Sequence, residues 1–223
     1  MCERDIAAND RTARRNREQF REHGVVVVRL LGSPGAGKTA LLEATSRALL
    51  RRTRIGVLAA DPATDCDAVR LRSTGVEAVS VMTGTGCHLD AETIHRALRG
   101  LAWRDLDYLF IEDVGNLVCP AVYDLGQAVN VLALSVPEGA DQPLKYPTIF
   151  QKADLVLLTK IDMPLVEADQ LDRLREHLAA ITPHPTLLPV SVRTGVGIGE
   201  WLRWVSAAGH RRGAPCAVGP VGQ

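Results

Sequence analysis

Apolar residues along this chain fall in two rhythms. Runs rich in valine, leucine, isoleucine and alanine recur at 25–31, 54–60, 78–82, 107–111, 129–136, 155–158 and 186–190, each four to eight residues long. Runs of that length, apolar on both faces, are the signature of strands in a parallel sheet covered by helices, because neither face of such a sheet meets water. Between them lie stretches with apolar residues three and four apart: Ala40 to Leu50, Ala91 to Gly100, Glu167 to Ala180 and Ile198 to Ala207. That spacing predicts amphipathic helices, the last burying Trp201 with Leu202 or Trp204 with Val205. Strand and helix in alternation predict an α/β fold of three layers, a mostly parallel central sheet flanked by helices. Ile6 to Glu22 also has helical spacing, but its apolar stripe is only Ile6, Ala13 and Phe20, and Arg11, Arg14, Arg15, Arg17 and Arg21 dominate it. The expectation is a solvated basic helix over 1–23, leading into one domain over 24–208. The stretch from Val136 to Pro147, with its prolines and glycine, reads as a long loop of the functional kind, and Gly, Pro and Arg from Gly209 onward predict a flexible tail over 209–223.

Composition narrows this in three ways. A chain of 223 residues, 46% of them hydrophobic, can bury one sizeable core and is too short for two ordinary domains. Its 26 basic residues equal its 26 acidic ones, so no global field gathers nucleic acid or an anionic membrane surface, and neither is expected as a partner. The first two dozen residues are polar and charged, and no apolar run approaches the ~20 residues needed to span a bilayer, which gives a cytoplasmic expectation. Five cysteines, at 2, 66, 87, 119 and 216, are odd in number and scattered, a pattern suited to metal ligation or inert burial rather than disulfides.

The chemistry starts at Gly32-Ser33-Pro34-Gly35-Ala36-Gly37-Lys38-Thr39, between a predicted strand and a predicted helix. This is the pattern of a phosphate-binding P-loop: glycines let backbone N–H groups turn inward on the phosphates, Lys38 reaches the β/γ oxygens, and Thr39 can ligate Mg²⁺. Acidic residues then fall at successive strand ends. Asp61 is placed to hold a Mg²⁺-bound water or orient the attacking one, Glu112 to ligate Mg²⁺, and the Gly115 N–H to meet the γ-phosphate. With Lys38, Asp61 and Glu112 form the candidate catalytic set. Thr159-Lys160-Ile161-Asp162 ends another strand; a carboxylate there can accept from guanine N1–H and N2–H₂, whereas adenine offers an unprotonated N1, so Asp162 selects GTP. Lys160 would lie along the base plane, and Ser191-Val192-Arg193-Thr194-Gly195 can close over it with backbone N–H groups. Four of the basic residues are lysines, and Lys38, Lys145 and Lys160 are three of them, which draws notice to Lys145.

A second chemistry sits in Cys87-His88 and Cys119, on segments leaving the same sheet edge. Thiolate and imidazole together suit Zn²⁺, Ni²⁺ or copper. Adjacent Cys and His ordinarily point apart, and three ligands leave an ion short of a partner, so the residues alone favour a buried cysteine with a loop histidine over a metal site. Ligands shared across a twofold axis would meet both objections.

Over about Ile6 to Trp204 the chain resembles the HypB family, the hydrogenase nickel incorporation GTPases. The resemblance is carried by the P-loop, which many families share, and by the more specific Cys87-His-Leu-Asp-Ala91, Gly115-Asn-Leu-Val-Cys-Pro-Ala121, Val136-Pro-Glu-Gly139 and Pro143-Leu-Lys-Tyr-Pro147. It implies a GTPase related to the signal-recognition-particle and nitrogenase-iron-type P-loop proteins, forming a GTP-dependent homodimer. It also implies a Ni²⁺/Zn²⁺ site of Cys87, His88 and Cys119, and work with a HypA-type nickel chaperone on the large-subunit precursor of [NiFe]-hydrogenase. Alternatives are the related urease-accessory nickel GTPases, which lack the Gly115–Ala121 block, and a P-loop small-molecule kinase, which Thr159–Asp162 disfavours. Three departures stand out. The family's Glu-Asn-Val-Gly is Glu112-Asp113-Val114-Gly115 here, adding a negative charge near the phosphates. Its Asn-Lys-x-Asp is Thr159-Lys160-Ile161-Asp162, similar to the signal-recognition-particle GTPases. An N-terminal Cys-x-x-Cys-Gly-Cys or histidine-rich tract is not matched, Cys2 standing alone, so nickel storage is not expected. Cys66, between Asp65 and Asp67, is an extra thiol without an assigned role.

Overall fold

The structure, a computed structural model, describes residues 3–164, 169–183 and 186–210. Seven strands form one sheet: β1 Val26–Gly32, β2 Ile55–Asp61, β3 Glu77–Met82, β4 Tyr108–Glu112, β5 Val129–Ser135, β6 Leu155–Thr159 and β7 Leu187–Pro189. Their order is β3-β2-β4-β1-β5-β6-β7, with every neighbouring pair parallel. Eight helices accompany them among the described residues: α1 Glu3–Glu22, α2 Lys38–Leu49, α3 Cys66–Arg72, α4 Ala91–Ala97, α5 Gln142–Lys145, α6 Pro147–Gln151, α7 Gln170–Ile181 and α8 Ile198–His210. None of them is long and apolar enough to cross a membrane.

The central strand β1 shows why the sequence folds this way. Side chains alternate across a strand, so its apolar run supplies both faces at once. Val26, Val28 and Leu30 pack with Leu41, Trp201 and Val205, while Val25 and Val27 pack with Phe20, Ile94 and Trp103. A third cluster, containing Leu31, Ile149, Phe150 and Leu174, covers β5 and β6. Arg29 shares the face of Val27 and is buried at 2% exposure. A charge inside a buried strand requires a partner within the same core. Because all strands run parallel, the loops after β1, β2, β3, β4 and β6 gather at one carboxyl edge, where such sheets place their ligands.

Four expectations are corrected here. The N-terminal helix is not a solvated lead-in: Ala13 and Phe20 are buried, and so are Asn9 and Asn16, which lie on the same stripe at helical spacing. Burying a phenylalanine such as Phe20 stabilises by about 1.5–3 kcal/mol, and the two asparagines bond backbone groups across the interface. The Val136–Pro147 stretch holds a 3₁₀ turn at Val136–Glu138, then α5 and the start of α6, so its prolines open helical turns instead of a free loop. Helix α3 stands where no helix was expected, its inward face being only Ala68 and Leu71. In α8 the buried hydrophobic side chains are Trp201, Val205 and Ala208, with Trp204 stacked on Trp201 at 6.0 Å. The start predicted for α7 at Glu167 and most of the predicted tail lie outside the described residues.

Candidate functional site

The P-loop joins β1 to α2, and glycine is required at its turns. Gly32 has φ 146°, and a Cβ there would meet the Ala133 carbonyl oxygen at 2.5 Å. Gly37 has φ 89° immediately before α2. Lys38 is buried, and its Nζ donates to the carbonyls of Gly32 and Ser33 at 3.1 and 3.0 Å. Burial holds its pKa below the usual lysine value, with Glu112 acting in the opposite direction. Thr39 Oγ1 donates to Glu112 Oε1 at 2.7 Å. The other carboxylate oxygen of Glu112, buried in a side chain only 3% exposed, has no partner among the described residues. Burial pushes the Glu112 carboxyl up to about 7, against the Thr39 bond and the Lys38 charge. An orphaned buried carboxylate oxygen beside a threonine hydroxyl is the donor set that a hard divalent cation takes, so these residues fit Mg²⁺.

Asp61, at the end of β2, accepts from the N–H groups of Ala63 and Thr64 at 2.8 and 2.6 Å, which hold its carboxyl below the usual range. It lines a cavity of about 420 Å³ with Gly35, Lys38, Glu112 and Gly115, to which α3 adds Arg70. Sequence reasoning passed over that guanidinium because α3 itself was not foreseen. Gly115 approaches so closely that a Cβ there would lie 2.7 Å from Pro34. Ser33, at the other side of the loop, is held by Glu138, whose second oxygen accepts from the N–H and Oγ of Ser135 at 2.7 Å.

The residues expected around the base gather after β6. Asp162 accepts from Ser191 Oγ at 2.6 Å, and that bond holds its carboxyl below the usual range; Arg193 stands 3.6 Å from its other oxygen. Thr159 turns to the P-loop, donating to the Ala36 carbonyl at 2.7 Å. Lys160 adopts a left-handed φ of 59°, and Val192 packs against the core. The N–H groups of Ser191, Thr194 and Gly195 bond within their own turn, so the segment is pre-folded and less open over a base than expected. Lys145 is exposed and pairs with Asp141 at 2.6 Å.

Cys87, His88 and Cys119 come together, their ligand atoms all within 4.8 Å of one another. Cys87 Sγ lies 2.9 Å from Cys119 Sγ and 3.6 Å from His88 Nδ1. The expectation that adjacent Cys and His point apart is overturned by local geometry. A turn closed by Gly86 N–H on the Thr83 carbonyl precedes them, and Asp90 caps α4 behind them through the Thr93 N–H at 2.6 Å. The bond to Cys119 and then burial push the Cys87 thiol up. Asn116 fastens the two loops, donating to the Cys87 carbonyl at 3.1 Å and accepting from Val118 N–H. The Tyr123 ring stacks on His88 at 3.9 Å and 16°. Cys66 is exposed on α3 and is no member of this group.

Asp113 lines the phosphate cavity and its charge acts on Lys38, as expected, but that charge is paired. It is 1% exposed, and its Oδ2 accepts from Arg29 Nε at 2.8 Å and from Arg29 Nη2 as well. The partner of the charge inside β1 is therefore this carboxylate. The signal was present in the sequence, since an arginine in a buried strand requires an acid that the same core can reach.

Comparison with known proteins supplies the family. The profile of the family described as "CobW/HypB/UreG, nucleotide-binding domain" matches residues 26–189. The hydrogenase maturation factor HypB of Azotobacter chroococcum mcd 1 is 47% identical over 216 residues, 96% of this chain and 70% of that protein. The HypB of Escherichia coli (strain K12) is 43% identical over 198 residues, 88% of this chain and 68% of that protein. Among solved structures, HypB from Helicobacter pylori in complex with nickel is similar with a TM-score of 0.85 at 35% identity, covering 93% of this chain and 98% of that one. HypB from Archaeoglobus fulgidus gives 0.84 at 35% identity, covering 91% and 99%.

Proposed function

The chain belongs to the CobW/HypB/UreG family and, within it, to the HypB hydrogenase maturation factors; on that premise we propose that it is a GTPase coupling nucleotide turnover to the binding and release of nickel for [NiFe]-hydrogenase. One observation carries the reading. The loop that leaves β4 bears Glu112 and Gly115 at the phosphate cavity and, a few residues later, Cys119, whose sulfur lies within 4.8 Å of the ligand atoms of Cys87 and His88. A loop that answers to the γ-phosphate thus carries a metal ligand.

In the hydrolytic step, the P-loop N–H groups and Lys38 hold the β- and γ-phosphates and stabilise charge as it develops on the oxygens. Thr39 and Glu112 would hold Mg²⁺, which draws charge from the β- and γ-oxygens when bound. Asp61 orients a water for in-line attack: a bond forms from water oxygen to the γ-phosphorus, the bond to the β–γ bridging oxygen breaks, the water's proton passes to a phosphate oxygen and on to solvent, and GDP and phosphate leave. Asp162 and Lys160 select guanine, with Arg193 displaced from the carboxylate as the base enters. Nickel is cargo in this scheme, held by two soft thiolates and an imidazole, a set that also accepts Zn²⁺. Met82 and Val118, both large and exposed, lie on the segments beside the ligands and offer a surface to a second copy in a GTP-dependent homodimer. The donor would be a HypA-type chaperone, the recipient the hydrogenase large-subunit precursor, and the compartment the cytoplasm.

The test is a pair of variants. Lys38→Ala should abolish GTP hydrolysis with nickel binding to nucleotide-free protein intact, and Cys119→Ala should do the reverse, as read by phosphate release and nickel titration. A Lys38→Ala protein that hydrolyses at the wild-type rate, or a Cys119→Ala protein that keeps its nickel, contradicts the assignment.

A further inference from the structure

The geometry points to Tyr123 as the residue that sets the plane of the His88 imidazole, and to the buried Arg29–Asp113 pair as the tie through which the nucleotide loop moves it. The inference rests on the reading of Cys87, His88 and Cys119 as a nickel site. An imidazole ligand must aim one nitrogen at the ion, yet rotation about its terminal side-chain torsion is soft, so something outside the residue must fix it. For His88 that is the Tyr123 ring, stacked 3.9 Å away and inclined by 16°, which leaves Nδ1 on the side of Cys87.

Tyr123 is itself held from both sides. Its carbonyl accepts from Arg29 Nη1 at 2.6 Å. The next residue, Asp124, is gripped by Arg17 of α1 through both carboxylate oxygens, at 2.7 and 2.6 Å, and its carbonyl accepts from Asn9. Arg29 rises from the centre of the sheet and holds Asp113 by Nε and Nη2. Asp113 follows Glu112, the partner of Thr39, and stands two residues before Gly115, which touches the P-loop. Thr39, Glu112, Asp113, Arg29, Tyr123 and His88 form one unbroken line of bonds and contacts between the two sites. A displacement of 112–115 on the γ-phosphate pulls on Asp113, and a guanidinium clamped at both ends passes the pull to the Tyr123 backbone. Tyr123, Arg29 and Asp113 are positioning residues: Asp113 lines the phosphate cavity, but its oxygens are taken by Arg29 and the Val114 N–H.

The experiment uses the full chain, NiCl₂ as probe, and two spectroscopic readouts: thiolate-to-nickel charge-transfer absorption, and the imidazole count from X-ray absorption. Tyr123→Phe keeps the ring and should match the wild type. Tyr123→Leu should keep the thiolate bands, lose the imidazole contribution, and bind nickel about tenfold more weakly. Asp113→Asn should hold nucleotide-free nickel affinity within about twofold while shrinking, by at least about threefold, the ratio between affinities with a non-hydrolysable GTP analogue and with GDP. If the single change does not fold, Arg29→Gln/Asp113→Asn, which replaces the ion pair by a neutral bonded pair, is expected to show the same loss of ratio. Full imidazole ligation in Tyr123→Leu, or equal damage in Tyr123→Phe, overturns the role of the ring. A wild-type ratio in the Asp113 variants overturns the tie. A wild-type chain that binds no nickel overturns the underlying reading as well, which separates that failure from a failure of the inference alone.

Discussion

Glu112 is the residue whose environment contradicts its charge most sharply. Its carboxyl is buried, which pushes it up to about 7, and it keeps one oxygen without a partner among the described residues. The sign of the consequence follows from proton counting. Between the unfolded carboxylate value and about 7 the folded chain holds a proton that the unfolded chain has released, so stability falls as pH rises through that window and is level above it. Moving an acid from 4.5 to about 7 corresponds to about 3 kcal/mol as an upper figure. Metal-free protein should therefore lose stability between about pH 4.5 and about 7, and Glu112→Gln should remove most of that loss while abolishing Mg²⁺-dependent hydrolysis. Urea denaturation at several pH values reads the first effect and phosphate release the second; a Gln variant with the wild-type pH profile would show that the burial is not what shifts the group. After β6, Asp162→Asn should weaken GTP ten- to hundredfold, since a charge-assisted hydrogen bond contributes about 1.5–3 kcal/mol. Preference should move toward the xanthine nucleotide, and unchanged GTP affinity in a direct titration would remove the guanine assignment.

Element by element, the strands and the longer helices were legible because each must bury apolar surface with its own period. The P-loop was legible because it fixes residue types at fixed spacing. What escaped notice was polar and buried. Asn9 and Asn16 read as part of a solvated helix, yet Asn16 donates to the carbonyls of Ala91 and Leu125 at 2.8 and 3.3 Å, and Asn9 pairs with Ala91 N–H and the Asp124 carbonyl. A single sequence shows such residues as breaks in a stripe, and only their partners reveal them as contacts. Helix α1 thus holds the segments that carry His88 and Cys119 at their far ends. Asn16→Ala leaves two buried carbonyls short of a donor and should cost about 1–3 kcal/mol. Chemical denaturation measures it, and a change under about 0.5 kcal/mol would return α1 to the status of a solvated lead-in.

For the whole molecule, a parallel sheet puts every chemical loop on one edge, and this is why fold and candidate site could be read together from strand ends. The sequence called for an acid near Arg29 but could not show that Asp113, at the end of the neighbouring strand, supplies it, or that a Cys-His pair in a tight turn converges on a cysteine 32 residues away. Those are distances, and they bring a nucleotide cavity and a thiolate–imidazole cluster onto one loop. The central claim is that the two sites are thermodynamically coupled, and linkage makes the coupling reciprocal: the factor by which GTP alters nickel affinity is the factor by which nickel alters GTP affinity. The most direct measurement is a nickel titration of the wild-type chain with GDP and with a non-hydrolysable GTP analogue, with subunit mass followed in parallel. The account predicts affinities that differ by roughly 5- to 150-fold, equivalent to about 1–3 kcal/mol. It further predicts a dimer in the analogue-bound state. Equal nickel affinities in both states, with a monomer throughout, would contradict it.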